Sequence, residues 1–273
     1  MNVAVALGRL GHTSHLLTQI GQDERGDRIR EHLDASHVLL TPGSGTAQRT
    51  STAEATLDST GAASYVFDLD WDPDPSGLPE AIDAVHTSSI AAALAPGAQT
   101  VATVLEQCAS TATISYDPNA RPDLMGDPVR TREQVDTIIA RADVVKSSDE
   151  DVAWLYDTED VEDVVASWLR HGVSLAVLTR GGEGAVGFTA AGRVPVEPVR
   201  VEVADTVGAG DTFSAGILDA LAGLQLLGAD KREQLRAITA EDTATVLQRA
   251  ARLAAVTVSR SGANPPWSHE LEG

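Results

Sequence analysis

The sequence predicts an α/β fold in which a mostly parallel sheet is covered by helices on both faces, giving three α/β/α layers. Short apolar runs alternate with helical stretches after residue 75, and this order is typical of parallel strands joined by crossover helices. Between residues 50 and 70 the pattern changes to strict alternation, which predicts a separate β-hairpin. In folds of this class, ligands bind at the carboxyl ends of the strands.

The composition of the chain limits the kinds of partner and the compartment that we expect for it. The chain has 273 residues, with 20 basic and 40 acidic side chains and a formal net charge of −20. This charge argues against nucleic acid or an anionic membrane as a partner, although backbone amides can still bind phosphate locally. The single cysteine, Cys108, cannot form an intramolecular disulfide and suits a reducing compartment. With no long apolar run and no secretory leader, we expect a cytoplasmic protein that acts on small molecules.

The first elements are predicted to be a helix and a hairpin. Residues 2–11 have an amphipathic pattern, and Gly11 is a typical C-terminal stop. Residues 53–57 and 65–69 alternate, with an Asp-Ser-Thr-Gly turn between them at 58–61. A two-stranded hairpin is only marginally stable alone, so it must pack against the rest of the chain.

The remaining elements form βα repeats. Strands are predicted at 84–88, 112–116, 143–146, 173–178 and 185–189, and helices at 101–109, 133–140, 152–155, 161–169 and 245–258. Val199, Val201 and Val203 also alternate with polar residues, which predicts one more strand. That strand would lead into a glycine-rich turn and a further helix.

The glycine-rich turn is the strongest functional signal. Gly208, Ala209 and Gly210 precede a helical pattern, so their N–H groups and the positive end of the helix dipole would form an anion site. Asp211 would lie on the first turn of that helix. An Asp there is explained by helix capping alone. It also suits phosphoryl transfer, in which a carboxylate takes the proton of an attacking hydroxyl.

Residues 205–216, Asp-Thr-Val-Gly-Ala-Gly-Asp-Thr-Phe-Ser-Ala-Gly, resemble the C-terminal signature of the ribokinase/phosphofructokinase-B family of sugar kinases at every position that its pattern fixes. The resemblance implies an ATP-dependent carbohydrate kinase with a ribokinase-like fold. It makes Asp211 the catalytic base and the amides of 208–210 the anion hole. It also implies one domain over 1–273, with 48–74 as a β-hairpin lid that can build a homodimer interface.

Two further loops are similar to substrate and metal motifs of the family. The stretch 117–122, Asp-Pro-Asn-Ala-Arg-Pro, resembles a motif whose Asn and Arg face the substrate, which implies that role for Asn119 and Arg121. A turn rich in Pro and Asn also needs no function. Ser148 and Asp151 stand where the family has an Asn-x-x-Glu motif that orders Mg²⁺ through water. The same two residues are explained equally well as a helix cap and a first-turn acid.

The nucleotide loops follow from the same resemblance. Thr179, Gly181 and Gly184 match a family loop that binds nucleotide, as do Thr206, Gly208 and Gly210 of the signature, and Asn264 lies in a closing loop next to the adenine pocket. In the family, that closing loop often supplies carbonyls to a monovalent cation such as K⁺. The glycines at 182–187 also match a dinucleotide fingerprint, but a strand follows them where that motif requires a helix.

The N-terminal segment leaves two alternatives open. Asn2 matches the sugar-contacting Asn of the family's N-terminal signature, whose glycine-rich turn and first strand would precede it, and here only Met1 does. Either the natural start lies upstream, or the chain is a truncated, non-catalytic protein that binds sugar or nucleotide. The loop motifs favour phosphorylation of D-fructose to fructose 6-phosphate, with ribose, 2-keto-3-deoxygluconate and nucleosides as alternatives.

Overall fold

The computed structural model describes residues 1–57 and 63–271, and for residues 55–57 and 63–65 it describes the backbone alone. The predicted turn at 58–61 therefore lies outside the described residues. The strands are β1 (Ser14–Leu16), β2 (Val38–Leu40), β3 (Thr52–Leu57), β4 (Ala63–Asp68), β5 (Ala84–Ser88), β6 (Thr113–Asp117), β7 (Val144–Ser148), β8 (Leu175–Thr179), β9 (Ala185–Thr189) and β10 (Gly192–Val196). The helices are α1 (Asn2–Arg9), α2 (Glu24–Asp34), α3 (Gly97–Cys108), α4 (Pro122–Met125), α5 (Pro128–Ile139), α6 (Asp149–Tyr156), α7 (Val161–Ser167), α8 (Ala209–Gly223), α9 (Arg232–Arg236) and α10 (Ala240–Val258).

The central sheet has the strand order β10-β9-β8-β7-β6-β5. Strands β5 to β8 pair in parallel, and β9 and β10 add an antiparallel edge. β1 and β2 form a separate parallel pair, and β3 and β4 form the predicted antiparallel hairpin. At the base of that hairpin, Arg49 donates to Asp68 at 2.7 Å. The prediction of a mostly parallel sheet is confirmed.

Alternating side chains on the central strands bury two different cores. On β7, Val145 packs with α3, α5, α6 and α7, whereas Val144 packs with α8, α9 and α10. Leu175 and Val177 of β8 face the second core, and Ala176 faces the first. Because successive residues of a strand point to opposite faces, a continuous apolar run on these strands produces a sheet that is covered on both sides.

Helix α1 packs on α8, and Ala84 of the edge strand β5 lies against the same cluster. Val3 and Ala6 of α1 are buried against Ala215 and Leu218 of α8. Small residues on both helices let the two backbones approach closely. This packing places the first residue of α1 beside the first turn of α8.

The strand predicted from Val199, Val201 and Val203 does not form. These valines are 41%, 40% and 60% exposed, and their segment is irregular. β10 takes the pairing position beside β9 instead. Pro195 obscured this strand in the sequence, because proline is tolerated only at edge strands, and β10 is an edge.

Several helices begin earlier than their apolar pattern predicts. Asp127 caps α5 by accepting from the N–H groups of Val129 and Arg130, so the helix begins at Pro128, five residues before the predicted start. Thr239 caps α10 in the same way by accepting from Asp242. The first turn of each helix is polar, so the apolar period begins only after the cap.

Candidate active site

The carboxyl ends of four parallel strands meet at one edge of the sheet. Ser88 of β5 pairs in register with Asp117 of β6, and Ser148 of β7 pairs with Thr179 of β8. The loops that begin at 117, 148 and 179 therefore start side by side. This arrangement is the one that the sequence predicts for a ligand site in a parallel sheet.

The glycine-rich turn before α8 is held by a second loop. The carboxylate of Asp205 accepts from the N–H of Val207 at 3.0 Å and from the N–H of Gly262 at 2.9 Å. These two backbone hydrogen bonds lower the pKa of Asp205. Gly208 has a φ of +79°, and a Cβ on it would lie only 2.7 Å from the Cβ of Ala263. The turn thus needs glycine for both its conformation and its packing.

The amides of the turn differ in their hydrogen bonding. The N–H of Ala209 donates to the carbonyl of Thr206 at 3.2 Å. Within the described residues, the N–H groups of Gly208 and Gly210 donate to no protein acceptor. Gly210 is exposed and Gly208 is half-buried. Two of the three amides predicted to form an anion hole are therefore open to a ligand at the positive end of α8.

Asp211 lies half-buried on the first turn of α8, as predicted. Its Oδ2 accepts a hydrogen bond from Nδ2 of Asn2 at 2.7 Å, across 209 positions of sequence. The packing of α1 on α8 brings the two side chains together. Asn2 and Asp211 were both predicted to bind substrate, and the fold makes them direct neighbours.

A buried ion pair lies beneath this helix start. Nζ of Lys146 is 2.8 Å from Oδ2 of Asp117, and both side chains are almost fully buried. Oγ of Ser214 on α8 also donates to that carboxylate at 3.4 Å. Burial raises the pKa of Asp117, and the ammonium group of Lys146 opposes that rise. Neither member of the pair was assigned a role from the sequence.

His86 of β5 is a half-buried group near the site. Its Nδ1 is 3.0 Å from Oγ of Ser115, and its Nε2 is buried without a hydrogen-bond partner among the described residues. Burial lowers the pKa of His86 to about 4, with Asp211 acting in the opposite direction. The ring is therefore neutral at pH 7.

The loops after β6 and β7 are joined by a hydrogen bond. Oδ1 of Asp151 accepts from the N–H of Ala120 at 2.9 Å, and Oγ of Ser148 caps α6 by accepting from the N–H of Asp151 at 3.0 Å. The guanidinium of Arg121 donates to the carbonyls of Asn119 and Ala120, at 3.3 and 2.8 Å. In the residues described, Arg121 therefore binds its own loop and does not contact Asp211.

The remaining residues that were predicted to bind nucleotide lie at the end of β8, in the turn after it and in the closing loop. Thr179 ends β8, and its Oγ1 donates to the carbonyl of Ser147 at 3.4 Å. Gly181 and Gly184 form a tight turn in which the N–H of residue 180 donates to the carbonyl of Gly184. Oδ1 of Asn264 accepts from Arg9 at 2.6 Å, so this side chain joins the closing loop to α1.

A cleft of about 520 Å³ lies between α2 and the start of the hairpin. Its lining includes Met1, Arg25, Arg28, His32 and the segment 50–54. Because Met1 precedes Asn2, one end of this cleft adjoins the residue that contacts Asp211. The cleft is large enough for a small polar molecule, and its lining includes neither Asn2 nor Asp211.

Residues 1–57 and 63–271 contain neither a cluster of metal-ligating side chains nor a membrane-spanning helix. No group of three or more His, Cys, Asp and Glu side chains is arranged to hold a metal ion. No described helix is both long and apolar enough to cross a lipid bilayer.

Comparison with known proteins gave consistent likenesses. The model of the pfkB family of carbohydrate kinases matches residues 1–270. A fructokinase from Rhizobium leguminosarum bv. trifolii is 38% identical over 230 residues, which cover 81% of this chain and 69% of that protein. The crystal structure of a Vibrio cholerae O395 fructokinase in its fructose-, ADP- and calcium-bound form has a TM-score of 0.77 at 26% identity and covers 96% of this chain and 84% of that one.

A second solved structure, an uncharacterized sugar kinase from Pyrococcus horikoshii in complex with ATP, has a TM-score of 0.79 at 25% identity. It covers 98% of this chain and 85% of that one. Both likenesses extend over nearly the whole chain. The fold predicted from the sequence is therefore confirmed.

Proposed function

The chain belongs to the pfkB family of carbohydrate kinases, and from this we propose that it transfers the γ-phosphoryl group of ATP to the primary hydroxyl of D-fructose. The observation that carries the proposal is the position of Asp211. A half-buried carboxylate stands on the first turn of α8, beside two open backbone amides and in contact with Asn2. A proton acceptor and an anion site thus lie on the same helix turn, which is the arrangement that phosphoryl transfer needs.

Asp211 acts as the general base in this proposal. Asn2 donates to Oδ2 and so fixes the carboxylate, and Oδ1 would receive the proton of the sugar hydroxyl. The hydroxyl proton passes to Asp211 as the sugar oxygen bonds to the γ-phosphorus, and the bond to the β-phosphate oxygen breaks to release ADP. The amides of Gly208 and Gly210, aided by the dipole of α8, stabilise the negative charge on the phosphoryl oxygens.

The residues near the site fit Mg²⁺ held mainly by nucleotide and water. The described chain offers no cluster of three metal-ligating side chains there. One carboxylate, Asp151, and one hydroxyl, Ser148, lie at the strand ends with oxygen atoms suited to this ion. Mg²⁺ bound in this way would neutralise charge on the phosphates. Asp151 and Ser148 would order its water ligands.

The sugar end of the site is proposed to lie under the β3–β4 hairpin. The cleft between α2 and residues 50–54 adjoins Asn2 through Met1. A hairpin that closes over it would exclude water and so suppress hydrolysis of ATP. The same hairpin could also join two copies of the chain, which the oligomeric state in solution would test.

Fructose is favoured among the sugars by the likenesses. The Rhizobium relative is named a fructokinase, and the Vibrio kinase was solved with fructose bound. The ATP-bound Pyrococcus kinase supports the choice of nucleotide. Ribose and 2-keto-3-deoxygluconate are the alternative acceptors within the family.

The test is sugar-dependent formation of ADP with Mg-ATP and a panel of D-fructose, ribose and 2-keto-3-deoxygluconate. We expect Asp211→Asn to lower turnover by about 10²–10⁴-fold while the protein stays folded. The matched control is Asp219→Asn, which removes a carboxylate from the same helix where it pairs with His12 and Arg249. That control should keep turnover within about twofold. Full activity in Asp211→Asn would refute the assignment of the base.

A further inference from the structure

Lys146 joins two strands of the sheet to the anion-binding helix. It lies within β7, its side chain is 6% exposed, and its Nζ contacts Asp117 at the end of β6. The same Nζ donates to the carbonyl of Gly210, on the first turn of α8, at 3.4 Å. Ser214, one turn further along α8, donates to Asp117. These three contacts and the backbone of α8 between Gly210 and Ser214 form a ring below the helix start.

Stability alone does not explain this ring. Removing two charges from water costs several kcal/mol for each ion, and a buried ion pair is often no more stabilising than apolar residues of the same volume. Lys146 is the only lysine or arginine among the buried residues of the described chain. The chain also has only two lysines among its 20 basic residues. A buried lysine side chain in so acidic a chain indicates a specific role.

The contact with Lys146 explains why position 210 is a glycine. A Cβ on Gly210 would lie 3.0 Å from Nζ of Lys146, and among the described residues no other atom outside its chain neighbours and the backbone of its own helix comes within 4 Å of that position. The glycine therefore leaves room for the ammonium group beneath the turn. Its carbonyl points down to Lys146, while its N–H is open to a ligand.

The charge of Lys146 also offsets nearby acids. Asp117, Asp151 and Asp211 all lie at this edge of the sheet, where the phosphates of a nucleotide would add further negative charge. A positive charge in a buried, low-dielectric position interacts strongly with charges near it. Without it, the anion site would be surrounded by carboxylates.

We propose that Lys146 is a positioning residue for phosphoryl transfer, which fixes the first turn of α8 through Gly210 and supplies a buried positive charge beneath the anion site. This inference rests on the proposed kinase function. Lys146 does not touch the reacting atoms. It acts through the backbone of Gly210 and through Asp117.

The experiment uses Lys146→Met, which keeps an unbranched side chain that is one heavy atom shorter and removes its charge. We expect kcat to fall by about 10–100-fold, because the anion site loses both its charge and its anchor. The KM for the sugar should change by less than about twofold, because the sugar cleft is not involved. A purely structural role would lower stability without this separation of kcat from KM.

A second variant keeps the test valid if Lys146→Met fails to fold. Lys146→Met with Asp117→Asn leaves no unpaired buried charge, so stability should recover, and we expect kcat to remain low. The matched control is Arg232→Met, which breaks the ion pair with Asp143 just before the start of the same strand, β7, at 2.7 Å. That variant should lose stability but keep its kcat.

Wild-type protein and Asp211→Asn are assayed beside these variants. Wild-type kcat in the neutral double variant would overturn the role of Lys146 and leave the kinase function standing. Absence of sugar-dependent ADP formation by wild-type protein would refute the proposed function, and this inference with it.

Discussion

Gly208→Ala tests two reasons why the glycine-rich turn requires glycine: its positive φ and its close packing against Ala263. Gly208 has a φ of +79°, and an added Cβ would lie 2.7 Å from the Cβ of Ala263 and 3.1 Å from its Cα. A non-glycine residue in the left-handed region costs about 1–3 kcal/mol, and overpacking costs about 1–3 kcal/mol more. We therefore expect the free energy of unfolding to fall by about 2–6 kcal/mol.

The matched control is Gly172→Ala. Gly172 has a φ of +101° and a ψ of −3°, close to the +79° and 2° of Gly208, but a Cβ on it would meet nothing within 4 Å. This variant should lose only the conformational cost of about 1–3 kcal/mol. Adding Ala263→Gly to Gly208→Ala removes the nearest contact atom. Part of the stability that Gly208→Ala loses through overpacking should therefore be recovered.

Urea denaturation of all variants measures the free energies, and sugar-dependent ADP formation measures the effect on the site. Gly208→Ala should reduce turnover, because the turn can fit the new methyl group only by moving its amides. Gly172→Ala should keep turnover unchanged. Equal losses of stability in the two single variants, with no recovery on adding Ala263→Gly, would refute the packing argument.

Two further variants test the electrostatics and the core. The carboxylate of Glu162 pairs with Arg193 and Arg180, and these partners lower its pKa to about 2. Because the pKa of Glu162 is lower in the folded state, its carboxylate stabilises the fold at pH values above the unfolded-state pKa near 4.5, and this contribution is lost as the pH falls towards 2. Glu162→Gln should therefore be less stable than wild type at pH 7. In urea denaturation at pH 3, its stability should approach that of wild type. Leu247→Ala, at a fully buried position between α10 and the sheet, should lower the free energy of unfolding by about 2–5 kcal/mol, whereas Val129→Ala, 52% exposed, should change it little.

The order of strands and helices was largely readable from the sequence. On strands such as β8, a continuous apolar run signalled burial on both faces, and the βα alternation predicted parallel pairing. The errors fell where local pattern and tertiary environment disagree. The alternating valines at 199–203 form no strand, and β10 was missed because its proline is acceptable only at an edge.

The candidate base and its turn were also readable, because their chemistry is contained in a few consecutive residues. Gly208, Gly210 and Asp211 occupy one turn, and the structure places that turn at the start of α8 as predicted. The roles assigned to Asn119, Arg121 and Asn264 remain predictions. In the described structure, Arg121 binds its own loop and Asn264 binds Arg9.

The sequence by itself determined which residues share a helix turn or a strand face, because those relations depend only on local spacing. The tertiary structure alone decided which faces meet. Asn2 reaches Asp211 because small residues let α1 pack on α8, and Lys146 reaches Gly210 because β7 passes beneath that helix. Neither contact leaves a periodic signal, since each joins positions whose separation is set by the path of the whole chain.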